Sequence, residues 1–369
     1  MRHGNRSSRR LAATLLLGGS ALLATLPGPA AAQRAPDPDG TVHVELSVPI
    51  STLASPEGGE FLRKVIVDKP FDNPAGPARN IAEERAWQNK IMGDFLKPMR
   101  QRYNVEIHEE RIGGVVADIV TPAGGVKPEN KDRVLINLHG GGFITGGRSA
   151  SLVESVPIAS VMGIKVVSVD YRMGPEFKFP AASEDVANVY RELLKHYDPQ
   201  KIGIYGCSAG GMLTGQAIAW FQANKLPNPA AIGIFCASLG GLGQGDSARL
   251  AMPLNGVLPR PTNATEQRPA APTPQSYLGG ARPDDPLAFP GSSESLLRKF
   301  PPTLFITGTR AFEMSGTITS NNALAMAGVE SRLHVWDGMI HGFFYNSEIP
   351  ESRAAYKIVA DFFDSHLKR

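Results

Sequence analysis

The chain has 369 residues, 42% hydrophobic and 20% charged, a balance that excludes a disordered or collagen-like polypeptide. Two cysteines are too few for a disulfide scaffold, and no Cys/His cluster has zinc-finger spacing. The net charge of +3 comes from the first 32 residues, which hold Arg2, Arg6, Arg9 and Arg10 and no acid; the 38 basic residues less these four leave 34 against 35 acidic ones, so nothing electrostatic argues for nucleic acid or anionic lipid as a partner.

Residues 1–32 have the form of an export signal. A basic segment ends at Arg9-Arg10, and an apolar run follows from Leu11 to Leu26, too short to span a bilayer. Pro27-Gly28-Pro29 breaks the run, and Ala30-Ala31-Ala32 offers the small residues a signal peptidase needs, so cleavage is expected after Ala32 and a periplasmic or secreted location with it. Export permits disulfides, but Cys207 and Cys236 both sit in apolar surroundings and are expected as buried free thiols.

Residues 33–42 read as a tail, and Pro49 to Asn104 as helical, with apolar residues at near-helical spacing between Ile81 and Met99. Short apolar runs then alternate with helical stretches. Eight strands are predicted: Val105–His108, Val115–Val120, Val134–Leu138, Lys165–Val169, Ile202–Tyr205, Ala231–Cys236, Thr303–Thr307 and Arg332–Trp336. Helices are predicted at Ala182–His196, Ala209–Asn224, Thr317–Ala327 and Arg353–Leu367. The later strands are β-branched and almost continuously apolar, as parallel strands buried on both faces are. The expected class is α/β, with a mostly parallel eight-stranded sheet between helices. Residues 240–300 break the rhythm; they are rich in Gly and Pro and read as a long excursion near the substrate.

Three segments carry chemistry. Gly206-Cys207-Ser208-Ala209-Gly210 lies between a strand and a helix, the context of a nucleophile elbow. Its turn strains the serine backbone, and small residues two positions to either side are needed to avoid a clash. His139-Gly140-Gly141-Gly142 follows another strand. Consecutive glycines let peptide N–H groups approach a developing oxyanion, and Gly141, Gly142 and Ala209 are the expected donors. His139 is expected to hold the loop rather than act as a base. His341 follows the last strand, at the same sheet edge and after the serine in chain order, which suits a base serving Ser208.

These segments together resemble the hormone-sensitive-lipase family of α/β-hydrolases, the bacterial family IV esterases, from about Arg133 to the C-terminus. The stretch Asp170-Tyr171-Arg172-Met173-Gly174-Pro175-Glu176 is similar to the family's D-Y-R-L-A-P-E, and Asp285-Pro286-Leu287-Ala288 and Pro301-Pro302-Thr303-Leu304 also fall where the family has counterparts. The resemblance implies an α/β-hydrolase fold, an acyl-serine mechanism on carboxylic esters of short acyl chain, and an N-terminal helical cap formed by residues 43–103. It implies no metal or organic cofactor and a small ester as the binding partner.

Two departures stand out. The elbow has Cys207 where the family usually has Asp, which removes a charge and a hydrogen-bond acceptor from beneath the turn. The position of the family's triad Asp falls on Ala311. The nearest acid is Glu313, whose extra methylene gives it reach, and Glu313 is the expected third member. Asp246 is the alternative, Asp337 reads as a surface loop residue, and a site with no acid is the remaining possibility. Within enzymes, a lactone, amide or carbamate hydrolase would use the same groups. Outside them, a ligand-binding protein on the same scaffold would need neither Ser208 nor His341.

The decoys are weaker. His108-Glu109-Glu110 lacks the second histidine of a zinc helix, and Gly241 to Gly245 does not open a dinucleotide-binding helix. Asn263-Ala264-Thr265 fits the glycosylation pattern.

Overall fold

The computed structural model describes residues 35–256 and 276–368 except 46, 77 and 242. The leader at 1–32, Asn263-Ala264-Thr265 and about a third of the 240–300 excursion therefore lie outside the described residues. The chain forms two units, 1–48 and 49–369. The described part of the first holds a turn in which Asp37 accepts a hydrogen bond from the Gly40 N–H and pairs with His43.

The second unit begins with helices α1 (Pro56–Val67) and α2 (Ile81–Arg102). Ser55 caps α1 and Asn80 caps α2, each side chain accepting a first-turn N–H. All eight strands follow: β1 (Val105–Ile112), β2 (Val115–Pro122), β3 (Val134–Leu138), β4 (Lys165–Val169), β5 (Ile202–Cys207), β6 (Ala231–Phe235), β7 (Thr303–Gly308) and β8 (Ser331–Trp336). Between and after them run α3 (Ala150–Met162), α4 (Ala181–Leu193), α5 (Ala209–Ala223), α6 (Ser247–Leu254), α7 (Glu294–Leu297), α8 (Met314–Met326) and α9 (Pro350–His366). No described helix is long and apolar enough to cross a membrane.

The sheet order is β1-β2-β4-β3-β5-β6-β7-β8. Only β1 with β2 and β2 with β4 pair antiparallel; the other five pairings are parallel. Strands β3, β5, β6 and β7 are buried at every position, as the unbroken apolar runs require. The chain leaves β3 for β4 on one side and returns to β5 on the other. The order thus reverses at β3, and the crevice beyond the carboxyl ends of β3 and β5 is where such sheets bind ligands. Leu138 pairs with Gly206 there, which sets the glycine loop beside the elbow.

Three features differ from the expectation. Helix α3 was not foreseen. Ten of its 13 residues are buried, leaving no polar face and hence no periodicity to read. The described part of the excursion contains α6 and the short α7, so that part is less irregular than its Gly/Pro content suggests. Strand β6 stops at Phe235, because Cys236 turns to φ 51°.

The C-terminus is tied to the sheet by one buried cation. The Arg133 side chain, 1% exposed, donates to Asp364, to Asn130 and to the carbonyls of Leu367 and Lys368. Replacing it with methionine strands these acceptors, so Arg133→Met should cost on the order of 3 kcal/mol in urea unfolding. KM should be unchanged, because none of these groups borders the switch-point crevice.

Candidate active site

Ser208 stands between β5 and α5 with φ 57° and ψ −122°. That region costs a non-glycine residue about 1–3 kcal/mol and persists only where packing imposes it. The packing is explicit. A Cβ on Gly210 would lie 1.7 Å from the Leu138 carbonyl oxygen, and one on Gly206 would lie 2.2 Å from the same atom. The Ser208 N–H donates to the Phe235 carbonyl, which holds the elbow against β6. Ser208 is partly exposed, and Ala209 opens α5, where first-turn N–H groups have no partner within the helix.

The glycine loop lies alongside. Gly141 has φ 115°, and its carbonyl accepts from the N–H groups of Ile144 and Thr145, so the loop closes into a turn. The N–H groups of Gly141 and Gly142 have no hydrogen-bond partner among the described residues. His139 is fully buried. Its Nδ1 donates to the Gly140 carbonyl at 2.7 Å, and its ring stacks on Tyr171 at 4.2 Å. Burial pulls its pKa down to about 4, which keeps it neutral and structural, as expected. The Tyr171 hydroxyl donates to the His139 carbonyl, so the Asp170–Glu176 stretch braces the loop.

His341 follows β8. Its Nδ1 lies 2.8 Å from Glu313 Oε2. Glu313 sits at the N-terminus of α8, 0% exposed at the side chain, and its Oε1 accepts from Thr307 Oγ1 at 3.0 Å. Burial alone would push this carboxyl up. The charge and hydrogen bond of His341, with Thr307, outweigh burial and hold it below the ordinary value. The imidazole is 27% exposed and stacks on Phe312. The Gly342 N–H donates to Cys236 Sγ at 3.3 Å, and ligand atoms of Cys236, Glu313 and His341 lie within 4.8 Å of one another. Cys236 follows Phe235, the acceptor for Ser208, so His341 is held at the rim that carries the serine. No hydrogen bond joins Ser208 Oγ to the imidazole among the described residues.

The structure therefore brings Glu313, not the alternatives, to His341. Ala311 lies in the turn that carries the chain from β7 to α8, its N–H donating to Gly308. Asp246 is exposed at the start of α6. Asp337 is exposed and accepts from Ser51 and Thr309. Cys207 is buried. Its buried thiol contacts Cys236 and Tyr345, and burial pushes both thiols up.

Two residues escaped the sequence reading. Arg85 of α2 donates to the Ile144 and Gly174 carbonyls and pairs with both oxygens of Glu176, so α2 grips the segment next to the glycine loop. Glu154 of α3 is buried. Its Oε1 accepts from the Gly140 N–H at 2.8 Å and from Tyr345, and its Oε2 accepts from Asn137 at 2.9 Å and the Cys207 N–H at 3.3 Å. A lone acid in the apolar stretch 150–164 was the available signal.

Two predictions come from these environments. Burial raises Glu154 to about 7 from the ordinary 4.5. The fold then binds that proton more tightly than the unfolded chain does. Its stabilising contribution is complete below pH 4.5 and is lost as pH rises to about 7. The urea midpoint of the native protein should fall between pH 5 and 8 relative to that of Glu154→Gln. The buried thiols, held protonated, should resist iodoacetamide with turnover intact until denaturant is added.

Known proteins share this fold. The alpha/beta hydrolase fold family matches residues 135–345. The chain is 29% identical over 260 residues to an acetyl-hydrolase of Streptomyces hygroscopicus, spanning 68% of this chain and 83% of that protein. It is 26% identical over 252 residues to the esterase LipU of Mycobacterium tuberculosis, spanning 67% and 82%. The crystal structure of esterase E25 superposes with a TM-score of 0.73 at 27% identity, covering 89% of this chain and all of that one. A bacterial hormone-sensitive-lipase-family esterase gives 0.71 at 26% identity, covering 85% of this chain and 99% of that one. Elbow, glycine loop, sheet order and these likenesses agree: the chain belongs to the α/β-hydrolase fold family, in its bacterial hormone-sensitive-lipase branch.

Proposed function

We propose that this serine carboxylesterase acts through Ser208, His341 and Glu313, with the N–H groups of Gly141, Gly142 and Ala209 as the oxyanion hole. The observation that carries the reading is the 2.8 Å contact between His341 Nδ1 and the sealed Glu313 carboxylate. That contact fixes the tautomer whose Nε2 is free to accept a proton. Ser208 Oγ attacks the ester carbonyl while Nε2 takes its proton. The carbonyl oxygen gathers negative charge and is held by the three peptide N–H groups. On collapse the C–O bond breaks and His341 returns the proton to the departing alcohol. Water then attacks the acyl-serine by the same route and releases the acid. Glu313 stays ionised throughout and stabilises the imidazolium.

A ligand-binding protein would need neither Ser208 nor His341, and the contact between Glu313 and His341 favours the esterase reading over it. Short acyl chains are the proposed substrates, in keeping with the similarity to an acetyl-hydrolase. Helices α1 and α2 are proposed as the cap, with Arg85 as its link to the loop. The proposed location is extracytoplasmic, on the strength of the sequence of residues 1–32 alone.

Ester turnover tests the assignment. Ser208→Ala should abolish hydrolysis of p-nitrophenyl butyrate and labelling by a fluorophosphonate probe. Glu313→Ala should lower kcat by about ten-thousand-fold, the cost of losing a triad acid, whereas Asp246→Ala and Asp337→Ala leave it nearly unchanged. A loss under about tenfold for Glu313→Ala overturns its role. Across esters from acetate to palmitate, kcat/KM should be highest on the short chains.

A further inference from the structure

Four donors converge on the buried Glu154 carboxylate, and every one belongs to a segment that bears a reacting group. Asn137 and Gly140 flank His139 at the head of the glycine loop. Cys207 immediately precedes the nucleophile. Tyr345 lies four residues beyond His341, in the short 3-10 turn Phe343–Tyr345. Glu154 also borders a mostly apolar cavity of about 20 Å³, lined by Val153, Ile158, Phe235 and Ile306 among others.

We propose that Glu154 is a positioning residue for acyl transfer, one carboxylate that sets the oxyanion loop, the elbow and the histidine loop in mutual register. The peptide N–H groups it receives are those of Gly140 and Cys207. Each lies one residue before a group that meets the substrate, Gly141 in one case and Ser208 in the other. A shift of either peptide moves an oxyanion donor or the nucleophile directly, and small displacements of such groups are costly to rate. The elbow cysteine fits the same account. Where the related esterases usually carry a carboxylate on the elbow itself, this chain has Cys207, and the carboxylate arrives from α3 instead. Cys207 Sγ touches the Tyr345 hydroxyl that also donates to Glu154, so the two positions border one pocket.

The proposal rests on the Ser208–His341 assignment but fails separately from it. An active Ser208→Ala would sink that assignment, whatever Glu154 does. The test is steady-state hydrolysis of p-nitrophenyl butyrate by Glu154→Gln, Cys207→Asp and the double variant, per folded molecule as read by circular dichroism. Glutamine keeps the volume but turns an amide N–H toward two of the four donors. Glu154→Gln should lower kcat by about a hundredfold with KM within about threefold, since the groups displaced act on the transition state. Cys207→Asp alone should also lower kcat, because it sets a second buried carboxylate beside the first. In the Glu154→Gln background the same aspartate should raise kcat at least about tenfold, because a carboxylate is restored beneath the elbow. A Glu154→Gln enzyme with kcat within about threefold of native overturns the proposal, as does a double variant no faster than the single. If Glu154→Gln does not fold, the double variant decides: a folded, active protein supports the proposal, and an unfolded or inactive one overturns it.

Discussion

The end of β3 and the first turn of α5 approach so closely that the Leu138 carbonyl leaves no room for a side chain at Gly206 or Gly210. That approach underlies the rest of the site. It compels the turn at Ser208, since a relaxed backbone there would drive α5 away from the sheet. It also sets the distance between the two groups of peptide N–H donors, because Ala209 rides on α5 and Gly141 and Gly142 ride on the loop leaving β3. The proposed oxyanion hole is thus a product of sheet register, Leu138 opposite Gly206, more than of any side chain. Strain of about 1–3 kcal/mol at one residue is small beside the burial of the four central strands. The strands hold the strain in place.

Two buried glutamates within this frame are driven in opposite directions. Both are desolvated, which disfavours charge. Glu313 faces His341, and the charge and hydrogen bond of that imidazole hold the carboxylate below its ordinary value despite burial. Glu154 faces one side-chain amide, two peptide N–H groups and a phenol, all neutral, so burial prevails and its pKa rises. A neutral donor set can hold a loop without adding a second cation near the imidazole. A cationic partner for Glu154 would compete with the developing imidazolium for the field of Glu313.

The sheet was legible because its strands are buried on both faces and read as unbroken apolar runs; β3 and β4 match their expected bounds residue for residue. The elbow and the glycine loop were legible because glycine leaves a mark wherever backbones come close. His341 was legible from chain order. Glu313 was reachable only through a count along the chain, and what brings it to His341 is local: the turn after β7, with Ala311 bonded to Gly308, carries the acid two residues beyond Ala311, within 2.8 Å of the imidazole. Helix α3 was invisible for the opposite reason to the strands. A helix covered by the sheet on one side and by α2 and α9 on the others has no solvent face, so its pattern carries no period. Glu154 was hidden with it.

That concealment bears on how the elbow departs from its relatives. A carboxylate on the elbow moves with the turn it supports, whereas one delivered by α3 is anchored in the layer behind the sheet. Tyr205 binds α3 from the strand below, its hydroxyl donating to the Glu154 carbonyl, so the helix is pinned at the residue that reaches the loops. The serine, the oxyanion loop and the histidine loop then share a reference point outside all three. In such an arrangement Cys207 has no polar task toward substrate, and a small, polarizable thiol packed on Cys236 and Tyr345 fills the space the missing carboxylate would occupy. The departure at the elbow and the acid buried in α3 are two sides of one change in where the supporting acid is held.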